Sequence, residues 1–405
     1  MGSKRPFLVI LLAFYFAIAA PHQVQAVVLG PDVLGFDFRF NNPGARANAM
    51  GGAFIGLADD ASAAYTNPAG LTVLTKQELS VEYKYGTTTT RVKDGLGEHD
   101  YESSDGNLSF VSYATPKEKA TITLFKHKMI DSTSGTTWKD DITDSGVFSE
   151  VELNADTYGL GFGMKVAPPL SLGLTINFSQ MDYKTISTRM SNSDPGYIDN
   201  LDRINGSGKD EHVIVSMLWN VFDEFNFGAA YHEGAEFTFE RIRYRQDTSV
   251  PLSVNDDLLI NKVYNHVLHV PEFYGVGISY SFPIGLTLAA DANHIKYSQI
   301  LDDALDDSGQ PTNAFEIEDT WEYHAGLEYV FALASTPIAL RCGYFFRPNH
   351  SAREISSGMD TGGTDDNIYT VGVGAVLSEN LQVDVSGSFG DLVNEGSFSL
   401  VYRLE

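Results

Sequence analysis

From Glu78 onward, apolar and polar residues alternate with a period of two, the pattern of strands that have one greasy face. Residues 380–389 show it plainly. Leu381, Val383, Val385 and Phe389 fall on one side, and Asn380, Gln382, Asp384, Ser386 and Ser388 on the other. Over 321–331, Trp321, Tyr323, Ala325, Leu327, Tyr329 and Phe331 oppose Glu322, His324, Gly326 and Glu328. Over 338–347, Ile338, Leu340, Cys342, Tyr344 and Phe346 oppose Arg341 and Arg347. About 14 such segments follow one another, near 78–86, 107–115, 119–128, 155–166, 170–183, 210–220, 224–239, 270–282, 284–297, 319–331, 335–346, 367–377, 380–390 and 394–404. Most are 9–14 residues long, and a tilted strand needs about 9–11 to cross a bilayer.

The connections sharpen this picture. Tight links at Pro116-Lys117-Glu118, Ala167-Pro168-Pro169, Pro283-Ile284-Gly285 and Ser378-Glu379-Asn380 alternate with long acidic ones, over roughly 87–106, 129–154, 184–209, 240–269, 298–318 and 347–366. The connection near 390–394 is short and breaks the rule. Short turns on one side and long loops on the other predict an all-β fold, a transmembrane antiparallel β-barrel of about 14 strands in an outer membrane. Its long loops face outward, and an even strand number leaves both mature termini periplasmic. An exported β-sandwich also alternates. The barrel is favoured because aromatics such as Trp321 and Phe331 close both ends of an apolar face, as interface girdles do. The charged opposite faces suit a wet lumen. Cys342 then points at lipid and is a small hydrophobe.

Composition places the chain outside the cytoplasm. Lys4 and Arg5 precede an apolar run from Phe7 to about Ala20, and Val24-Gln25-Ala26 offers a cleavage site, so residues 1–26 read as a secretory signal peptide. No later apolar run approaches the roughly 20 residues of a helical span. One cysteine rules out an internal disulfide framework. Asp and Glu number 53 against 27 Lys and Arg, which speaks against nucleic acid as a partner. With 25 Phe and 20 Tyr, the acidity is not that of a disordered chain.

Residues 27–77 lack the alternation, and "LADDASAAYTNPAGL" (57–71) is alanine-rich and helix-like. About eight strands enclose a space that side chains just fill, whereas 14 leave a hole. The leading segment is therefore expected to fold as a plug inside the barrel of 78–405. Gly159, Gly161 and Gly163 leave room for it on one strand's inner face. Ser62 can cap a short turn, Asn67-Pro68 is a helix-start pair, and Gly51-Gly52 permits tight turns.

The stretch "GARANAMGGAFIGLADDASAAYTNPAGL" (44–71) resembles the N-terminal hatch signature of the FadL family, outer-membrane transporters of long-chain fatty acids and other hydrophobic compounds. Met50-Gly51-Gly52-Ala53, Asp59-Asp60-Ala61 and Asn67-Pro68-Ala69 carry the match, and "VPEFYGVGISYSFPIGLTLAADANHIKYSQ" (270–299) and "IALRCGYFF" (338–346) add to it. The terminal Glu405 departs from the aromatic end usual in such barrels. The resemblance implies passive uptake: a greasy ligand is caught among the loops, enters a lumenal pocket closed by the hatch, and leaves after the hatch rearranges, sideways between strands in characterised members. Related barrels with similar signatures act in protein secretion or attachment, so a secretion-associated or anchoring barrel with a protein or lipoprotein partner is the alternative.

The residues suggest how a ligand could be held. Leu34, Phe36, Phe38 and Phe40 alternate as if one face met a hydrophobic cavity, marking a candidate gate, with plug packing as the plainer reading. Each buried CH₂ contributes about 0.8 kcal/mol, so apolar burial can carry binding. A carboxylate leaving water wants a cation. Arg341 faces the lumen by parity and is the candidate head-group partner; alternatively it pairs with Glu322, Glu328 or Asp384, or with Asp59 or Asp60 of the plug. No cofactor or metal is expected: "LDDALDDSG" (301–309) misses the calcium-loop spacing, and Glu322 with His324 lacks a third ligand. His294 and Ser298 alone do not make a hydrolase, so no catalytic residue is assigned. The expected partners are a hydrophobic small molecule, outer-membrane lipid and lipopolysaccharide, and the expected state is a monomer.

Overall fold

The alternating segments become strands β1 (Glu78–Asp94), β2 (Gly97–Pro116), β3 (Ala120–Asp140), β4 (Ser145–Ala167), β5 (Leu170–Met190), β6 (Ile198–Phe222), β7 (Phe225–His232) and β8 (Glu236–Arg245). They continue as β9 (Ile260–His269), β10 (Phe273–Ser281), β11 (Leu286–Ile295), β12 (Thr320–Leu333), β13 (Thr336–Arg347), β14 (Asp366–Ser378), β15 (Leu381–Phe389) and β16 (Val393–Arg403). The structure, a computed structural model, describes residues 27–28, 40–94, 97–140, 145–190, 198–245, 260–305, 314–355 and 364–404. The predicted signal peptide lies outside the described residues.

These 16 strands form one antiparallel sheet, closed on itself by the β6–β7 pairing, with first strand β1 against last strand β16. β7 and β8 both pair with β6, below and above a break at Glu233–Ala235, and β10 and β9 continue each other in the same way. Counting each broken pair once turns 16 strands into 14 wall positions, the number that alternation predicts. Closure removes the sheet edges that would otherwise expose unpaired backbone.

The first long connections differ from expectation. Stretches read as loops over 87–106, 129–154 and 184–209 are largely strand, and pairing runs out to Asp94↔Gly97 and Asp140↔Ser145. The reason is visible on β4. Tyr158, Leu160, Phe162 and Met164 point outward over inward Thr157, Gly159, Gly161 and Gly163, but beyond them Val151, Leu153 and Ala155 are the buried set and Glu150, Glu152 and Asn154 face out. The apolar parity changes sides where the wall leaves the apolar band, and a strand that inverts its pattern reads as a strand that ends.

The lumen also differs from a uniformly wet interior. Strands β12–β16 and β1 line it with Glu82, Lys84, Glu322, Glu328, Arg341 and Asp384, all buried. Strands β2–β11 present a continuous apolar cluster that includes Phe110, Phe125, Leu153, Met181, Phe237 and Phe239, joined by Tyr297 and Ile300 from the 3₁₀ turn Tyr297–Leu301. Outward residues such as Leu124, Phe178, Tyr323 and Val371 are exposed in a girdle around the ring, and Cys342 lies among them.

Inside sit residues 40–77, with helices α1 (Ala45–Ala49) and α2 (Ala63–Thr66) and a 3₁₀ turn at Pro68–Val73. The C-terminus ends on the short-turn side, where Leu404 N donates to Gln77 O at 2.8 Å. The first described residues lie at the other end of the barrel. Val27–Val28 pair in parallel with Ala304–Leu305, in the connection that leaves the long-loop end of β11.

Candidate functional site

The plug meets the wall backbone to backbone. A Cβ at Gly173 would lie 2.1 Å from Ala69 N, one at Gly228 2.1 Å from Ile55 O, and one at Gly343 2.2 Å from Gly51 N. Only glycine tolerates such approach. Gly163 likewise faces Pro68 and Leu71, the room read from the sequence, whereas Gly159 accommodates the ring of Phe125. Gly51 and Gly52 turn the chain at φ 66° and 76°.

Buried polar groups of the wall then satisfy the plug's backbone, as a dry interface requires. Asp291 Oδ2 accepts from Phe54 N at 2.6 Å and Ile55 N at 2.7 Å. Glu82 accepts from Gly44 N at 3.0 Å and Asn48 Nδ2 at 3.2 Å. Thr370 Oγ1 accepts from Gly51 N at 3.0 Å and donates to Ala49 O at 2.9 Å. His324 Nδ1 lies 2.7 Å from Gly51 O, and Tyr297 Oη donates to Glu322 Oε1 at 3.1 Å, so this pair joins a lumenal network.

The hatch motif residues fall within this interface. Asn67 is fully buried; its Nδ2 donates to Ile55 O at 2.7 Å and Met217 O at 3.2 Å, and its Oδ1 caps Ala69 N at 3.2 Å, with Pro68 opening the 3₁₀ turn. Asp60, and not Ser62, is the cap before α2: its Oδ1 accepts from Ser62 N at 2.9 Å and Ser62 Oγ at 2.6 Å. Asp59 binds Arg46, which bridges to Glu328 through Nε and Nη2, each at 2.9 Å.

Arg341 lies in the same ion cluster. Its Nε donates to Glu328 Oε2 at 2.6 Å and its Nη1 to Asp384 Oδ1 at 2.7 Å, so protein carboxylates occupy the guanidinium. Of the candidate gate residues, Leu34, Phe36 and Phe38 lie outside the described residues. Phe40 stands edge-on to Phe273 with ring centroids 5.2 Å apart.

Two features escape the alternation pattern. The first is a split in the wall. β2 and β3 pair only from Phe110↔His127 to Pro116↔Thr121, while above that level β2 stays with β1 and β3 with β4. Each strand carries an irregularity at the level where they part, Ser109 on β2 and Met129 on β3. Such bulges bend and twist a strand away from its neighbour. Asn41 of the plug docks at the base: its Nδ2 donates to Lys128 O at 2.6 Å and its carbonyl lies 2.7 Å from His127 Nε2. Side chains cross the split higher up, Ser103 Oγ donating to Thr133 O at 2.6 Å and Asn107 Nδ2 to Asp131 Oδ2.

The second is a cavity of about 150 Å³ behind the split, bounded by the plug at Phe40–Asn42 and by wall residues that include Lys84, Asp105, Asn107, Asp131, Phe345 and Ile368. Its acidic pair has an unusual environment. Burial, then contact with Asp105, pushes the Asp131 carboxyl up to about 7.

A family model described as "Outer membrane protein transport protein (OMPP1/FadL/TodX)" matches residues 35–392. Among solved structures, a Pseudomonas aeruginosa FadL homologue superposes with a TM-score of 0.68 at 15% identity, over 92% of this chain and 100% of that one. The P. putida toluene transporter TodX gives 0.64 at 13% identity, and the Ralstonia pickettii toluene transporter TbuX 0.63 at 14%, each over 90% of this chain and 99% of the other. No curated protein matches the chain.

Proposed function

We propose, from the premise that the chain belongs to the OMPP1/FadL/TodX family of outer membrane transport proteins, that it is a passive channel for hydrophobic small molecules whose cargo leaves the lumen sideways. Long-chain fatty acids and aromatic or aliphatic hydrocarbons are the candidate cargoes. The observation that carries this reading is the split between β2 and β3, with a cavity behind it and a plug below. Apolar cargo gains nothing from a water-filled exit, whereas a break in the wall leads it toward acyl chains. The plug is tied to the wall on both sides, by the Arg46–Glu328 ion pair and by Asn67 and Asp291, which favours a sideways exit over a path through the hatch.

The gate is then the leading segment. Asn41 supplies the backbone partner that β3 lacks at the base of the split. Withdrawal of residues up to Asn42 would open the cavity and expose the edge together, and Leu34, Phe36, Phe38 and Phe40 are the residues proposed to sense cargo. The barrel works as a monomer with its C-terminus in the periplasm and its long hairpins among lipopolysaccharide.

A disulfide across the split tests the reading. With Ser103→Cys and Thr133→Cys combined in a Cys342→Ala background, oxidation is expected to stop uptake of toluene and of oleate into proteoliposomes, and reduction to restore it. Equal uptake by the oxidised and reduced proteins would eliminate the sideways route.

A further inference from the structure

The cavity's polar lining is unbalanced in a way that selects cargo. Lys84 Nζ is committed to Asn41 Oδ1 at 2.6 Å, Asn42 O at 2.7 Å and Glu395 Oε1 at 3.1 Å. An ammonium has three protons, so none remains. Arg347 is bound to Asp366 at 2.8 Å. The cations are therefore spent on the protein itself.

The acceptors are less fully met, although Asp105 Oδ1 accepts from Gly106 N at 2.6 Å. Asp105 and Asp131 contact each other across the split, and the Asn107 amide donates to the Asp131 carboxylate. Lys128, whose charge acts on Asp131, is turned to Asn154 and to Asp156, 3.6 Å away. The Asn107 Oδ1 is itself buried with no hydrogen-bond partner among the described residues. A buried acceptor without a donor is costly, and it marks a place for a group that donates.

Apolar surface completes the site. Phe345, Ile368 and Val393 line the same space, and Phe40 borders it while packing on the apolar cluster of the lumen. A cavity of about 150 Å³ is known to hold one benzene ring. We infer that the cavity behind the β2–β3 split binds a molecule of single-ring size whose polar group donates hydrogen bonds, a hydroxyl or an ammonium, in preference to a carboxylate. The donor meets Asp105, Asp131 and Asn107, and the ring meets Phe345 and Ile368. The raised proton affinity of Asp131 agrees with a site that seeks a donor. A benzoate-like head would meet two acidic side chains and, among the described residues that line the cavity, no uncommitted cation.

This inference rests on the channel reading and narrows its cargo. The test uses four probes of one carbon skeleton: toluene, benzyl alcohol, benzylamine and benzoate. Their affinities are measured by calorimetry on the full mature chain in lipid nanodiscs. Benzyl alcohol and benzylamine are expected to bind about tenfold or more tightly than toluene, and benzoate most weakly, the scale set by one well-made hydrogen bond to a charged group. Asp131→Asn should remove most of the benzylamine advantage over toluene, with heat-modifiable gel migration confirming the folded barrel. Asp105→Asn serves the same purpose should Asp131→Asn fail to fold. Toluene binding as tightly as benzyl alcohol, or benzoate binding best, would overturn the inference while leaving the channel reading intact. Binding of none of the four would overturn both.

Discussion

The two halves of the inner wall both grip the plug through polar groups, but they differ in what lies around and above that grip. On β12–β16 and β1 the grip is polar: Glu82, His324, Thr370 and the Arg46–Glu328–Arg341–Asp384 cluster reach the plug or brace one another. On β2–β11 polar contacts such as Thr175 Oγ1 to Ala64 O at 2.7 Å sit low, and above them the wall closes on itself through Phe237, Met181 and Leu153. Charged interiors are intolerant, because removing one member leaves its partner buried and unmatched. Apolar interiors lose only what a missing side chain contributed, plus its cavity. The difference suggests that the polar half sets where the plug sits and that the apolar half gives the outer wall its rigidity. The cavity lies where the two meet.

The sharpest way to break this comparison is Arg341→Ala. It leaves Asp384 without its buried cation and takes from Glu328 one of its two guanidinium partners, and should cost about 3–5 kcal/mol, read as a lowered denaturant midpoint. It should also unseat the plug, so that proteoliposomes admit small hydrophilic sugars. Unchanged sugar exclusion would show that the ion cluster is not what seats the plug. Leu153→Ala in the opposite half should cost about 2–3 kcal/mol and loosen the outer hairpins to protease while sugars stay excluded. A leak in that variant would merge the two roles.

A smaller effect sharpens the boundary between the halves. Asp131 binds its proton more tightly in the folded protein than an ordinary aspartate does, so its contact with Asp105 contributes fully below about pH 4 and fades as the pH rises through about 7. Lys128 opposes this shift and Asp156 adds to it. Spin labels at Ser104 and Ser132 in a Cys342→Ala background should therefore report a wider β2–β3 separation at pH 8 than at pH 5. An identical distance at both values would remove the carboxyl contact as a determinant of the split.

Much of the ring was legible because lipid imposes one rule on every outward residue, and a period-two pattern records it. The inward parity of Arg341 and the room beside Gly163 followed from the same rule. The broken wall strands, the extended hairpins and the split were not legible, and each has a cause. On β4 the apolar parity reverses between Ala155 and Tyr158, so local periodicity reports an end that pairing does not have. The bulges at Ser109 and Met129 are single residues with no composition of their own. Arg341's partners lie on β12 and β15, and Asp291 meets a turn more than 200 residues earlier. Such meetings depend on how the ring closes. Asp291 left only a faint signal, an acid on the lumenal parity of "LTLAADANHI".

The seam between β1 and β16 has a consequence for biogenesis. The plug is tethered directly ahead of β1, and β1 pairs with the final strand from Glu78↔Arg403 to Thr88↔Val393. This hydrogen-bonded seam cannot form before Arg403 has been delivered to the membrane. Until then the nascent sheet is an open trough, and the plug must lie within it as the trough zips shut. A chain truncated before Val393 should consequently lack not a strand alone but the enclosure itself, and would stall as an unsealed arc on the assembly machinery.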